Sequence, residues 1–359
     1  MDTTDPDIFF DKNGFCNHCT TAIKKLNEVY FIDPTLKKKR LDEFVEKIKT
    51  EGKNKKYDCI IGLSGGVDSS YLAYKVVELG LRPLAVHLDN GWNSELAVKN
   101  IENIVKKLNI DLVTHVIDWE EFRDLQIAYL KASVIDIEVL SDNAIVISIN
   151  NLAKKHGIKY FLIGFNYATE SIMPASWLYS PKYDSLNIKS IYKKFGSGKK
   201  LKTYPLLSFY GYLQYRFFPK IKIYDPLNYM EYNKAEALKT LSRLFEWRDY
   251  GGKHYESFIT KFYQLYILPR KFNVDKRRAH LSSLICSNQM TRQAAIDELK
   301  IELYSETNLT IDKEYLIKKI GMAQQEFDRI IKNKPLSHFN YTSFNKILIS
   351  VAHLKKVFK

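Results

Sequence analysis

The sequence predicts an α/β fold: a doubly wound parallel sheet, preceded by a short N-terminal CxxC segment and followed by a mostly helical C-terminal region. Three observations predict it. Between Tyr57 and about Gly164, short β-branched runs alternate with stretches of helical periodicity, the pattern of successive βαβ units. The first run, Cys59–Leu63, ends at Ser64-Gly65-Gly66, a glycine turn opening directly into a helix. From about Tyr232 onward, apolar residues recur at helical spacing almost to the end of the chain.

In chain order, Pro34 to about Lys56 reads as a basic amphipathic helix with Leu41, Phe44, Val45 and Ile48 on one stripe. The sheet region then predicts strands at Cys59–Leu63, Pro83–Leu88, Asp111–Ile117 and Tyr160–Gly164. Between them fall helices at Ser69–Gly80, Ser94–Leu108, Glu120–Lys131 and Ala144–His156. Residues from about Met173 to Pro226 are rich in Tyr, Phe, Lys and Pro, and Gly196-Ser197-Gly198 marks a flexible loop, so this stretch is expected to act as a lid or a substrate-entry segment. Helices follow at Tyr232–Trp247, Tyr255–Leu268, Lys276–Ser287, Arg292–Ile301, Lys313–Ile320, Gln324–Lys332 and Ser343–Phe358. The expected division is residues 1–55, 56–175 and 176–359.

Composition sets limits on function. A chain of 359 residues with 45% hydrophobic residues can bury two cores, which excludes a largely disordered protein. No apolar run approaches the roughly eighteen residues of a membrane span, and Met1-Asp2-Thr3-Thr4-Asp5-Pro6 is acidic where a secretory signal would be basic and then apolar. A cytoplasmic location is expected. The net charge of +14 calls for an anionic partner: nucleic acid, a membrane surface or a phosphorylated small molecule.

The chemistry is concentrated at the strand ends. Gly65 and Gly66 permit a tight turn and close approach of a ligand, the new helix presents its N–H groups, and Ser64, Ser69 and Ser70 add hydroxyls, a combination suited to phosphate. No Lys follows the glycines as a Walker A loop requires. In doubly wound sheets ligands bind beyond the carboxyl ends of the strands, where two further polar clusters fall, His87 to Asn93 with Asp89, and Gly164 to Glu170 with Asn166. One nucleotide reaching all three is the expected arrangement, with Asp68 and Glu170 as the carboxylates for Mg²⁺. Downstream, Gly251-Gly252-Lys253-His254 forms a second glycine turn, followed by Lys271, Lys276, Arg277, Arg278 and His280, a basic group suited to a diphosphate or carboxylate. Cys16 and Cys19 form a CxxC pair, half of a tetrahedral zinc site, while Cys59 reads as a core residue and Cys286 as a distant helical one.

Ser64-Gly65-Gly66-Val67-Asp68-Ser69, in its strand-to-helix setting, resembles the PP-loop of the N-type ATP pyrophosphatases. That resemblance implies that Ser64, Gly65, Gly66, Asp68, Ser69 and Ser70 hold the pyrophosphate of ATP, with AMP passed to a carbonyl oxygen. Across nearly the whole chain, His87–Glu95, Gly164–Glu170 and the block from Gly251 through Arg292 resemble the N-acetyl sugar amidotransferases of WbpG and PseA type. This implies an enzyme of bacterial surface-polysaccharide or flagellin-sugar biosynthesis that converts an acetamido into an acetamidino group. Asp68, Glu170 and Lys253 are its expected catalytic residues. Ser64, Gly65, Gly66, Asp68, Ser69, Ser70, His87, Asp89, Gly164 and Asn166 are expected on ATP, and Lys253, His254, Lys276, Arg277 and Arg278 on a nucleotide-linked or nonulosonic acetamido sugar. Family members carry a further CxxC ahead of a stretch like Met1–Asp7, and the sequence in hand starts inside that stretch.

An amide oxygen is a poor leaving group, so adenylating it with ATP is what lets ammonia displace it. No Cys-His pair for glutamine hydrolysis is evident, and the resemblance implies a separate glutaminase subunit as the ammonia source. The rival reading is a tRNA-modifying PP-loop enzyme, which performs the same adenylation on a base carbonyl and would suit the basic charge.

Overall fold

The computed structural model describes residues 1–252 and 255–357, with side chains through Ser350. Its centre is a five-stranded parallel sheet of β1 (Cys59–Gly62), β2 (Pro83–Asp89), β3 (Asp111–Val116), β4 (Tyr160–Leu162) and β5 (Lys222–Tyr224), in the order β3-β2-β1-β4-β5. The register aligns Ile61 with Ala85 on one side and Leu162 on the other, and Leu162 in turn with Tyr224. The chain runs outward from β1 to β3, then returns to the other side of β1 for β4. The order therefore reverses between β1 and β4, the switch point at which doubly wound sheets bind ligands.

Side-chain alternation explains how both faces are covered. Cys59 and Ile61 point to one face, packing with Leu72 and Val76 of α3 (Val67–Glu78), with α2 (Pro34–Gly52) and with Leu241 further along the chain. Ile60, Leu84 and Val86 point to the other, against Ile149 and Ala153 of a helix at Val139–His156. Strands buried on both faces read as continuous apolar runs, which is why they were visible in the sequence.

The helices begin with α1 (Asn17–Val29) and α2, which precede the sheet. Within the sheet region α3 is followed by α4 (Glu95–Leu108), α5 (Trp119–Ala132), α6 (Val139–His156) and the short α7 (Tyr167–Glu170). The stretch expected as a lid holds α8 (Ser185–Phe195), α9 (Phe209–Phe217) and β5, and its glycine loop is tied down, since Asp124 of α5 accepts from the Ser197 amide at 3.0 Å and its hydroxyl at 2.5 Å. Next come α10 (Lys234–Phe245), α11 (Phe258–Phe262), α12 (Leu268–Phe272) and α13 (Arg277–Cys286), with a π-helical turn, Tyr263–Ile267, joining α11 to α12. Last are α14 (Arg292–Lys300), α15 (Glu306–Ile320), α16 (Gln324–Lys332) and α17 (Phe344–Val357). Helix α15 begins earlier than its apolar period suggests, because Ser305 caps it by accepting from the Asn308 amide at 3.3 Å. A second core, built around Phe122, Tyr129, Phe262 and Phe327, fastens α5 and α6 to these C-terminal helices. No described helix is long and apolar enough to cross a membrane.

Candidate active site

Two cavities lie side by side beyond the carboxyl ends of β1 and β4. The smaller, about 380 Å³, is lined by Ser64, Gly66, Asp68, Ser69, Gly164 and Glu170 from the strand ends, with Lys234, Asp249, Tyr250 and Glu256 closing it. The larger, about 530 Å³, includes Phe165, Met173, Tyr255, Gln264, Lys276 and Arg277 in its lining. Thr169, Glu170, Lys234, Gly251, Gly252 and His280 belong to both, so they form a shared wall between the cavities.

The loop after β1 is shaped to receive an anion. Gly65 sits at φ +86°, and a Cβ there would come within 2.7 Å of the Ala97 carbonyl oxygen, so another residue would be strained as well as crowded. Gly164, across the switch point, would press a Cβ to 3.0 Å from the Asp68 backbone. Gly66 caps α3, which starts at Val67, two residues ahead of the helix the periodicity predicts, and this brings Asp68 and Ser69 into its first turn. The loop's hydroxyls are gathered: Ser64 Oγ and Ser69 Oγ are 3.1 Å apart, and the Gly66 amide donates to Ser64 Oγ at 3.2 Å. Trp247 fixes the loop from outside by donating its indole N–H to the Gly65 carbonyl at 3.0 Å.

Asp68 is held by its neighbours. The Tyr232 hydroxyl donates to its carboxylate, and the Asn166 amide donates at 3.3 Å. Burial and the adjoining carboxylate push the Tyr232 hydroxyl well above the usual phenol range, so it stays a donor. Asn166 also caps α7, accepting from the Thr169 amide at 2.9 Å, and this places Glu170 on the shared wall. Asp68, Glu170, Asp249 and Glu256 all line the smaller cavity, but no three described acidic, His or Cys side chains are arranged to hold a metal ion by themselves, so Mg²⁺ there would need phosphate oxygens to complete its shell.

The remaining expected residues fall into place unevenly. Gly65 and Asn166 shape the cavity from behind its lining, and Ser70 is fully buried in α3, its hydroxyl without a hydrogen-bond partner among the described residues. His87 and Asp89 line neither cavity. His87 is buried, donates from Nδ1 to the Leu63 carbonyl at 2.9 Å and lies 3.0 Å from the Asn93 amide, and burial lowers its pKa. The tip of β2 is instead stitched to the segment after the second glycine turn: the Ser94 amide donates to the Glu256 carbonyl at 2.9 Å, and the Phe258 amide to Trp92 at 2.8 Å.

Lys253 and His254 lie outside the described residues. The basic residues beyond them have partners within the chain. Lys276 pairs with Glu138 at 2.7 Å, while Arg277 forks onto Asp275 at 2.8 Å and donates to the Ile301 carbonyl at 2.8 Å. Arg278 pairs with Asp2 at 2.5 Å and lines neither cavity. Lys271 donates to the Asn333 carbonyl at 2.8 Å, satisfying the end of α16.

The cysteines depart from expectation. Cys286 is not distant: α13 packs on α1, bringing its thiol within hydrogen-bonding reach of Cys19, while Cys16 Sγ lies 3.3 Å from Cys19 Sγ. His18 turns away and donates to Asp5 at 2.5 Å. Among the described residues no group of three or more His, Cys, Asp or Glu side chains is arranged to hold a metal ion, so the possible zinc half-site at Cys16 and Cys19 is not completed there.

Lys234 and Glu256 were not singled out in the sequence. Lys234 is the first residue of α10, behind an Asn233 cap, and Glu256 sits on the strap over β2; each follows a turn signal common to many helix starts.

Fold and site together define an α/β protein with a glycine-rich loop at the switch point of a parallel sheet and a second cavity beside it. Residues 256–355 match the family model described as LPS biosynthesis protein WbpG-like, C-terminal domain. Over 88 residues the chain is 34% identical to a tRNA(Ile)-lysidine synthase of Chlamydia pneumoniae, a stretch covering 24% of this chain and 26% of that protein. A solved structure of NMN synthetase from Francisella tularensis aligns at 19% identity with a TM-score of 0.31, covering 38% of this chain and 56% of that one.

Proposed function

We propose that the protein is an adenylating, ATP-dependent amidotransferase that converts an acetamido group of a bacterial surface-polysaccharide or flagellin sugar into an acetamidino group. The observation that carries this reading is the wall shared by the two cavities: a phosphate-shaped loop opens on one side of Glu170 and Lys234, and a larger chamber opens on the other. The WbpG-like match over residues 256–355 adds support, since that region lines most of the larger chamber.

In this reading Ser64, Gly66, Ser69 and the first turn of α3 hold the β- and γ-phosphates, with the helix N-terminus contributing roughly 0.3–1 kcal/mol per charge. Mg²⁺, held by Asp68 and Glu170, would offset charge on the phosphates. The sugar amide enters from the larger chamber, and its oxygen attacks the α-phosphorus while pyrophosphate leaves. Ammonia then forms the new C–N bond at the amide carbon as the C–O bond breaks, releasing AMP. Lys234, on the wall between the two cavities, would meet the charge of the departing phosphate. Ammonia would come from a partner glutaminase. Cys59 is fully buried in β1 with its thiol pushed up by desolvation, unsuited to be a nucleophile.

The test is incubation with ATP, Mg²⁺, ammonium and a panel of nucleotide-linked diacetamido sugars and free nonulosonic acids, read by mass spectrometry. An acetamide-to-amidine mass change with stoichiometric AMP is expected. ATP consumed only in the presence of tRNA would overturn the reading in favour of base modification, which the match to the lysidine synthase supports.

A further inference from the structure

The segment between Asp184 and Asp225 is set apart by its charge. Across those 40 residues stand nine Lys or Arg and not one Asp or Glu, in a chain that otherwise carries 41 acids. Its second half, α9 and the turn into β5, shows large apolar side chains to solvent: Phe209 is 42% exposed, Tyr210 85%, Phe217 55%, Phe218 74% and Ile223 63%. They form a single continuous stretch of chain. Tyr210, Gln214 and Phe217 recur at helical spacing on the outer side of α9, while Tyr212 is fully buried against Tyr183 and Phe344. Arg216, Lys220 and Lys222 are interleaved with these rings and exposed. The neighbouring α17, whose Phe344 touches both Phe209 and Tyr212, adds exposed Ile347 and Ile349.

Apart from Phe209, which also packs on Phe344, the exposed rings are not what holds α9 in place, since that packing is made by buried Tyr212. From the projecting rings, the interleaved basic residues and the absence of acid, we propose that α9 and the turn into β5 seat the protein on a bilayer surface rich in anionic lipid.

Charge complementarity selects this occupant. Aromatic rings settle at the depth of lipid headgroups while Lys and Arg engage their phosphates, each basic residue contributing about fivefold in affinity. A nucleic-acid strand would instead need a basic groove that tracks its backbone. Here the rings stand on a projecting helix and an edge strand, and neither cavity described above takes a lining residue from between Met173 and Lys234.

Co-sedimentation of the full chain with vesicles tests the proposal, using phosphatidylcholine alone against phosphatidylcholine mixed with phosphatidylglycerol. Binding is expected to the mixed vesicles, weakening as salt is raised. Phe217→Ser with Phe218→Ser should reduce it at least tenfold, as should Lys220→Glu with Lys222→Glu. Lys38→Glu with Lys47→Glu changes net charge equally on exposed positions of α2 and should leave it within about twofold. Thermal melts of all three variants close to the parent's show that the fold is kept. Failure of the parent to bind mixed vesicles overturns the proposal. So does equal weakening by the α2 pair, or a parent dimer in solution that the Phe217 and Phe218 changes dissociate.

Discussion

The loop after β1 and the basic segment from Lys271 to His280 look alike in sequence, each a turn beside a helix start with residues suited to phosphate. In the structure they part. Ser64, Asp68 and Ser69 line a cavity and are braced from behind by Trp247, Tyr232 and Asn166. Lys276 and Arg277 also line a cavity, the larger one, but Lys271, Lys276, Arg277 and Arg278 are each engaged by a carboxylate or carbonyl of the chain itself. Charge in a sequence thus marks where an anion could be met. It leaves open whether that anion is a ligand or the protein.

Four measurements sharpen or break this contrast. The largest effect is expected at the loop, where Asp68→Ala should lower ATP-to-AMP turnover about a hundredfold or more with little change in melting temperature. Retained turnover would remove the loop from the mechanism. At the basic segment the pattern should invert: Arg277→Gln leaves Asp275 without its fork and should destabilise by about 2 kcal/mol, read in urea unfolding, with the KM for ATP unchanged. A raised KM for the sugar at parental stability would instead make Arg277 a ligand-binding residue.

The third measurement concerns pH. Buried His338 stacks on Tyr179 with centroids 4.3 Å apart, and desolvation, helped by Lys182, lowers its pKa from 6.5 to about 3. Because the unfolded chain takes up this proton first, its contribution is complete above about pH 6.5 and is lost as pH falls toward 3. By pH 5 the loss should reach about 2 kcal/mol, and it should shrink in His338→Gln. The burial-lowered pKa of His87 acts in the same sense. The smallest effect belongs to Trp247→Phe, which removes the indole bond to the Gly65 carbonyl and should raise the KM for ATP about fivefold, corresponding to ~1 kcal/mol.

Much of this was legible beforehand. Ile60, Ile61, Leu84 and Val86 are apolar on both strand faces, and that pattern admits a sandwiched parallel sheet. Three-residue β5 could not be read within an aromatic, basic stretch, because it is a strand only by virtue of its pairing with β4. The polar cluster at the tip of β2 carried the same turn signals as the other two. Only the 256–258 strap laid over it sets it aside from the cavities.

The sequence by itself determined the alternation of strands and helices, the glycine turn at Gly65 and the carboxylate of Asp68 beside it, since each follows from local sterics and periodicity. Tertiary structure decided that the order reverses between β1 and β4, that Lys234 and Glu170 share one wall, and that Cys286 meets Cys19. Those are meetings of residues far apart in the chain, and they are settled by which buried faces fit together rather than by any local preference.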